Sequence, residues 1–285
     1  MVDIKDYESH FENKWCPGCG NSGILQAMKD ALVKLGLFPH EVLIVSGIGQ
    51  AAKTPHFLKC NMFHGLHGRA LPAATGAKTA NHNLTILVNS GDGDCYGEGG
   101  NHFVNAMRRN IDLTLLVHNN KVYGLTKGQA SPTSDMNMVT RAQPYGVILE
   151  PFNPLSVALA LNAGFIARGF AGNKDHLSML IQEGVKHKGF SFIDILQPCV
   201  SFNRVNTYQW YSERVYELDK EGYTPDNYMA AISKARQWGD RIPIGILYKE
   251  DKPSFTERID SLRDGTLVDR KYNPEKLSDL LSRFY

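Results

Sequence analysis

The sequence has few cysteines, almost no net charge and no long apolar run. Five cysteines in 285 residues, an odd number, argue against the disulfide framework of a secreted protein. The formal charge of +2 gives no electrostatic basis for binding nucleic acid. No apolar run approaches the roughly 20 residues of a membrane helix, and the polar start MVDIKDYESHFENK does not read as a signal peptide. We therefore expect a cytoplasmic protein that binds neither nucleic acid nor membrane, with reduced or metal-bound thiols.

Apolar segments rich in β-formers alternate with amphipathic helical segments along the first two thirds of the chain. The strand-like segments are EVLIVSGIGQ, LTILVNSGDGD, LTLLVHNNKVYG, GFIARGF and SFIDILQPC; helical ones include NSGILQAMKDALVKLG, GEGGNHFVNAMRRN and PLSVALALNAG. This alternation predicts an α/β fold, a mostly parallel sheet with helices on both faces. Residues 1–202 are predicted to form this domain. Residues 203–285 are predicted to form a C-terminal extension that packs on the domain or on a partner subunit.

Unusual residues follow several predicted strands. They are residues 47–50, residues 91–94, residues 119–123 and Cys199. In parallel sheets ligands bind beyond the carboxyl ends of the strands. We therefore expect one site at one edge of the sheet.

The stretch SGDGD indicates a diphosphate and metal site. Its glycines allow close approach of a ligand to the backbone, and the following helix start offers N–H groups to phosphate. Asp92 or Asp94 would supply a carboxylate for magnesium, and Asn120 an amide oxygen. The alternative is a plain tight turn, but the paired asparagines at the next strand end favour the site. A Rossmann dinucleotide site fits less well, since GIGQAAK lacks the last glycine of G-x-G-x-x-G.

The stretch WCPGC places Cys16 and Cys19 in a tight turn, which is compatible with a redox disulfide, a zinc site or an iron–sulfur site. The polar residues before it weaken the thioredoxin-type interpretation, which needs a buried strand there. A four-cysteine zinc site would need a second close pair, whereas the remaining cysteines are isolated. Scattered thiolates that the fold gathers suit an iron–sulfur cluster.

Several motifs together resemble those of the β subunit of 2-oxoacid:ferredoxin oxidoreductases. They are WCPGCG, GIGQAAKTPHF, HGLHGRALPAATGAK, GDGDCYGEGGNHFVNAMRRN, NNKVYGLTKGQASPTS and IPIGILYK. GDG followed by NN also resembles the thiamine-diphosphate fingerprint. The resemblance implies CoA-dependent oxidative decarboxylation of a 2-oxoacid, reversible, with electrons passing through a [4Fe–4S] cluster to ferredoxin. An α subunit would supply the pyrimidine-binding domain, in a heterodimer or a dimer of heterodimers.

The resemblance also implies roles for single residues. Asp92, Asn120 and the Val122 carbonyl would hold Mg²⁺. The residues implied in cofactor binding are Gly49, Gln50, His67, Gly91, Asp92, Gly93, Asp94, Asn120, Val122, Gly124 and Leu125. Lys53 would face the substrate carboxylate and Lys127 would help to bind coenzyme A, since an ammonium suits carboxylate and phosphate. The alternatives are solvated surface lysines and, for His67, a structural histidine.

The chain departs from the family pattern at Gln50, where many relatives have the third cysteine ligand of the cluster. Cys16, Cys19 and Cys199 match the other three. Cys60, ten residues further on, is the predicted substitute, and Cys95 is predicted to pack as a small apolar residue. A three-cysteine cluster, or none, stays open.

Two other functions compete with the oxidative enzyme. One is a non-oxidative thiamine-dependent decarboxylase or carboligase with a structural zinc at the cysteines. The other is an inactive partner subunit that only forms an interface.

Overall fold

A computed structural model describes residues 1–263, 265–271 and 273–284. The strands in these ranges are β1 (Val42–Ser46), β2 (Asn61–His64), β3 (Thr85–Gly91), β4 (Leu113–Asn119), β5 (Val122–Tyr123), β6 (Gln129–Ala130), β7 (Phe165–Phe170), β8 (Phe190–Leu196), β9 (Val215–Glu217) and β10 (Ile242–Lys249). The α-helices are α1 (Gly20–Lys34), α2 (Ala70–Ala80), α3 (Gly100–Arg109), α4 (Pro154–Ala160), α5 (Lys174–Lys186), α6 (Tyr208–Ser212), α7 (Tyr228–Arg236), α8 (Asp260–Arg263) and α9 (Pro274–Leu281).

Eight strands form one sheet in the order β2-β1-β3-β4-β8-β7-β10-β9. The first six in this order run parallel to one another. β10 runs antiparallel to β7 and parallel to β9. The carboxyl ends of the six parallel strands therefore share one edge of the sheet. The short strands β5 and β6 form a separate hairpin beyond β4.

Successive residues of the central strands face two separate apolar clusters. Leu115 on β4 belongs to one cluster and Leu116 to the other. Helices α2, α3, α4 and α7 contribute to the first cluster, and α1 and α5 to the second. Since both faces are covered, every residue of β4 is buried, which explains its continuous apolar sequence. The predicted α/β class with a mostly parallel sheet is confirmed.

The C-terminal residues extend the sheet. The segment RIPIGILYK forms β10, with Gly245 opposite Arg168 of β7. Helix α7 buries Ala231 and Ala235 in the cluster that α4 also covers. β10 and α7 thus pack directly on elements that precede residue 203, and the boundary between 202 and 203 stays a prediction.

The edge strand β2 has no counterpart among the predicted strands. All four of its residues are exposed, so it lacks the apolar pattern of a buried strand.

Among the described residues, no helix has the length and apolar character needed to cross a membrane.

Candidate functional site

The loops that follow β1, β3 and β4 surround one cavity at the carboxyl edge of the sheet, the strand-end pocket. It is lined by residues 48–51, His67, residues 91–94, Asn120 and residues 122–126. All eleven residues predicted to bind the cofactor are among them. The structure brings them together in space, and their contacts with a ligand stay predictions.

Asp92 is a buried carboxylate at the end of β3, only 1% exposed. Its Oδ2 accepts hydrogen bonds from Ser131 Oγ at 2.5 Å and Thr133 Oγ1 at 2.6 Å. Burial raises the pKa of Asp92 to about 6, and the two hydroxyl groups partly oppose this shift. A buried carboxylate with neutral partners is stabilised by a nearby cation, so its position favours metal binding.

Asn120 and Val122 supply further oxygen atoms on the same pocket. Asn120 Oδ1 accepts a hydrogen bond from the N–H of Val122 at 3.0 Å, which holds the turn after β4. An amide oxygen has two lone pairs, so one remains for a ligand. Carboxylate, amide and carbonyl oxygens are the hard donors that Mg²⁺ prefers. The residues present therefore fit a magnesium ion, which Asp92, Asn120 and the Val122 carbonyl would hold.

Two glycines of the pocket are required by its geometry. A Cβ atom at Gly93 would lie 2.2 Å from the ring of Tyr123, so only glycine allows the loop after β3 to pack there. Gly49 has a φ of +125°, which side-chain-bearing residues rarely adopt. Both positions present bare backbone to the pocket, as close approach of a diphosphate requires.

Asp94 connects three loops of the strand-end pocket. Its Oδ1 accepts hydrogen bonds from the N–H of Ile48 at 3.0 Å and the N–H of Gly68 at 2.7 Å. The same oxygen lies 2.6 Å from Nδ1 of His67, and Oδ2 accepts a bond from Ser90 at 2.5 Å. We call this arrangement the Asp94 clamp. The oxygens of Asp94 are occupied by these hydrogen bonds and are therefore less available to a metal ion. Asp92 is the better metal ligand of the two.

Three cysteines meet at a second cavity, the cysteine cavity. It is lined by residues 14–16, Cys19, Asn21, Gln50, Asn120, Gly124, Gln197 and residues 199–202. Burial raises the pKa of Cys19 to about 11, and the neighbouring Cys199 and Cys16 also raise it. Gln50, Asn120 and Gly124 line both cavities, so the two are adjacent.

Cys60 lies at the opposite edge of the sheet from this cavity. It directly precedes β2, and Asn61 pairs with Leu43 near the start of β1. At about 3.3 Å per residue, the strand from Leu43 to Ser46 separates Cys60 from the carboxyl edge by roughly 10 Å. Its Sγ donates instead to the carbonyl of Asn61 at 3.2 Å. The structure therefore does not bring Cys60 to the cavity of the other three cysteines, because a parallel neighbour of β1 must begin at the amino edge of the sheet.

Two family models and several known proteins match most of the chain. Residues 45–195 match the family model of the thiamine pyrophosphate enzyme C-terminal TPP-binding domain. Residues 199–264 match the family model of the C-terminal part of the pyruvate ferredoxin oxidoreductase beta subunit. The chain is 46% identical over 269 residues to 2-oxoacid:ferredoxin oxidoreductase subunit beta of Saccharolobus solfataricus, covering 90% of this chain and 88% of the relative. The chain belongs to the family of 2-oxoacid:ferredoxin oxidoreductase β subunits.

Other relatives extend the family to 2-oxoglutarate enzymes. A 2-oxoglutarate synthase subunit of Archaeoglobus fulgidus is 35% identical over 249 residues, covering 87% of this chain and 89% of the relative. The solved 2-oxoglutarate:ferredoxin oxidoreductase of Magnetococcus marinus, with 2-oxoglutarate, coenzyme A and succinyl-CoA bound, matches with a TM-score of 0.91 and 36% identity. That match covers 98% of this chain and 96% of the solved one. The predicted family and oxidoreductase class are confirmed, and a β subunit implies partner subunits.

The two predicted lysines of this β subunit lie near the strand-end pocket but outside its lining. Lys53 is half-buried in the 3₁₀ segment Ala51–Phe57, which begins at the pocket wall. Lys127 is exposed at the tip of the β5–β6 hairpin, next to the lining residue Thr126. Its φ of +79° holds the turn in a left-handed conformation. Their ligands stay predictions.

Sequence reasoning missed the residues that support the site. Ser131 and Thr133 bond Asp92, and both lie in the quoted motif NNKVYGLTKGQASPTS without an assigned role. Trp15 was also missed: its Nε1 donates to the carbonyl of Gln50 at 2.8 Å and fixes the cysteine turn beside the pocket wall. The available signal was the cluster of hydroxyl residues soon after the strand-end asparagines.

Proposed function

We propose that this chain binds thiamine diphosphate and Mg²⁺ in the strand-end pocket and serves in the reversible, CoA-dependent oxidative decarboxylation of a 2-oxoacid. A 2-oxoacid anion and coenzyme A give acyl-CoA, CO₂, a proton and two electrons, and two ferredoxin molecules each accept one electron. The observation that carries this proposal is the gathering of all eleven predicted cofactor residues around one pocket, with Asp92 buried in it.

The pocket residues have distinct tasks in this proposal. Bound thiamine diphosphate supplies the carbanion chemistry for cleaving the bond to the carboxylate. Asp92, Asn120 and the Val122 carbonyl hold Mg²⁺ against the diphosphate. His67, fixed by Asp94 through Nδ1, directs its other ring nitrogen toward Glu98 at 3.4 Å and borders the diphosphate. The site is completed by an α subunit, which supplies the pyrimidine-binding domain and the glutamate that activates the cofactor, in a heterodimer or a dimer of heterodimers.

The two lysines bind the anionic substrates. Lys53 follows the pocket wall and binds the carboxylate of the 2-oxoacid. Lys127 projects from an exposed hairpin tip and binds a phosphate of coenzyme A. A lysine ammonium acts on such groups as a compact point charge. Both roles are supported by position along the chain: the half-buried Lys53 lies two residues after the lining residue Ala51, and the exposed Lys127 directly follows the lining residue Thr126.

A four-thiolate [4Fe–4S] cluster does not fit this chain. All five cysteines are described, and only Cys16, Cys19 and Cys199 line the cysteine cavity. Cys60 lies at the other edge, and Cys95 is buried in an apolar cluster. The three thiols support an iron–sulfur site with fewer thiolate ligands, and no step of the reaction is assigned to it.

Co-expression with the α subunit tests the proposal. Calorimetry should show Mg²⁺-dependent binding of thiamine diphosphate, and a viologen dye should be reduced when a 2-oxoacid and coenzyme A are added. Asp92→Asn should weaken cofactor binding at least tenfold, whereas Asp175→Asn, at an exposed position at the start of α5, should not. Absence of cofactor binding in the intact complex would overturn the proposal. Consumption of the 2-oxoacid without reduction of the dye would favour the non-oxidative decarboxylase.

A further inference from the structure

We infer that the iron–sulfur site of this chain has three thiolate ligands, Cys16, Cys19 and Cys199, and that the cluster corner without a thiolate faces Gln50. This inference rests on the proposed function, because it takes the three thiols of the cysteine cavity as the iron–sulfur site that the proposed function supports. It differs from the family pattern, in which a fourth thiolate occupies the position of Gln50.

The backbone itself brings the three cysteines together. The N–H of Cys19 donates to the carbonyl of Cys16 at 3.0 Å, closing the turn. The N–H of Gly20 donates to the carbonyl of Pro198 at 3.2 Å, which joins this turn to the residue before Cys199. A Cβ atom at Gly20 would lie 2.6 Å from the Gln197 side chain. The two segments are therefore in direct contact, and their thiols share one cavity.

Polar donors already face two of the three sulfur atoms. Ser201 Oγ lies 3.2 Å from Sγ of Cys16. Gln197 Nε2 lies 3.5 Å from Sγ of Cys19. Donors to cluster sulfurs adjust the reduction potential, and they stabilise negative charge on thiolates. Such placement suits a metal-binding role better than a purely apolar packing role for these thiols.

Gln50 occupies the wall between the cysteine cavity and the strand-end pocket. It lines both cavities, and the bond from Trp15 Nε1 fixes its backbone carbonyl at 2.8 Å. An amide oxygen is a hard, neutral donor, whereas iron in clusters prefers soft thiolate ligands. A cluster iron facing Gln50 would therefore be weakly held, on the wall that the cysteine cavity shares with the strand-end pocket.

The chemical consequence is a labile iron. A mild oxidant such as ferricyanide removes one electron and one iron: [4Fe–4S]²⁺ gives [3Fe–4S]⁺, Fe²⁺ and one electron, which reduces ferricyanide to ferrocyanide. The [3Fe–4S]⁺ product is paramagnetic, whereas [4Fe–4S]²⁺ is not. Electron paramagnetic resonance therefore reports the loss of one iron independently of catalytic activity, and comparison with a variant that has a fourth thiolate relates this loss to the number of thiolate ligands.

The test uses the complex with its α subunit, purified without oxygen and treated with ferricyanide. The wild-type complex should release about one Fe²⁺ per β chain and give a three-iron signal. Gln50→Cys supplies a fourth thiolate, so it should retain its iron and stay silent. Cys199→Ser should lose the signal, which assigns it to this chain, and Cys60→Ser should behave as wild type.

A silent wild-type complex that keeps all its iron would overturn the inference, as would a Gln50→Cys complex that still releases iron. Stoichiometric zinc without iron would also overturn it. Thiamine diphosphate binding, measured on the same samples, tests the proposed function separately. If the wild-type complex keeps all its iron but binds thiamine diphosphate, only the inference about the cluster fails. If the complex does not bind thiamine diphosphate, the proposed function fails.

Discussion

Asp94→Asn tests whether one buried carboxylate organises the strand-end pocket. Asp94 is 3% exposed and accepts bonds from three segments: the loop after β1, the turn before α2 and the end of β3. The substitution keeps the shape of the side chain and removes its charge. We expect lower stability and weaker cofactor binding together, because the same bonds hold the fold and position the loops.

The size of the effect follows from the number of bonds. A hydrogen bond to a charged group contributes about 1.5–3 kcal/mol, and one between neutral groups about 0.5–1.5 kcal/mol. The three bonds at Oδ1 should each weaken by about 1 kcal/mol, while Ser90 can turn to accept a bond from the new amide. We therefore expect the free energy of unfolding to fall by about 3 kcal/mol. Thiamine diphosphate affinity should fall by about tenfold, equivalent to 1.4 kcal/mol.

Urea unfolding and calorimetry measure the two effects. Gly47→Ala should act in the same direction, since a Cβ atom there would lie 2.1 Å from an Asp94 carboxylate oxygen. Glu98→Gln is the matched control: its exposed carboxylate lies 3.4 Å from Nε2 of the same His67, and its loss should change stability by about 0.5 kcal/mol or less. An Asp94→Asn protein with wild-type unfolding and wild-type cofactor affinity would refute the reasoning.

Three further predictions concern four side chains, two of them the paired lysines. Lys127→Ala should raise KM for coenzyme A about tenfold and leave KM for the 2-oxoacid unchanged. Lys53→Ala should raise KM for the 2-oxoacid about tenfold and leave KM for coenzyme A unchanged. A variant that changes both constants equally would contradict these roles. Thr133→Val removes a hydroxyl group that donates to Asp92 and lies 2.8 Å from Oδ1 of Asn119, so the free energy of unfolding should fall by about 1–2 kcal/mol, as measured in urea. Burial lowers the pKa of His118 from 6.5 to about 3. As the pH falls through 6.5, only the unfolded chain therefore binds a proton at His118, and the free energy of unfolding falls. His118→Gln should remove about 1 kcal/mol of that loss between pH 7 and pH 5.5, and an unchanged slope would exclude His118 as its source.

The sequence predicted the central sheet because its strands are buried on both faces. Residues such as Leu115 and Leu116 face different clusters, so both must be apolar, and the segment appears as a continuous run. The location of the site at the carboxyl edge of the sheet was predictable for the same reason, since glycines and polar residues come directly after these apolar runs. β2 was not predictable in this way, because an exposed edge strand carries no such pattern.

The details that the sequence did not reveal depend on three-dimensional connectivity. Cys60 is ten residues from Gln50 in the sequence, but the chain returns to the amino edge before β2 begins. Asp92 and Asp94 look alike in SGDGD, and only the loops around them decide that Asp94 accepts backbone N–H groups whereas Asp92 accepts two hydroxyl groups. The support from Trp15 to Gln50 joins two segments whose sequences give no sign of their contact.

The position of β10 has a consequence for biosynthesis. It lies between β7 and β9, although β7 precedes it by more than seventy residues. Until residue 249 has been translated, β7 presents unpaired backbone groups that can recruit a foreign strand. A nascent chain halted in this interval should therefore be prone to aggregation. A C-terminal truncation that removes β10 should lower the solubility of the protein before it lowers its catalytic activity.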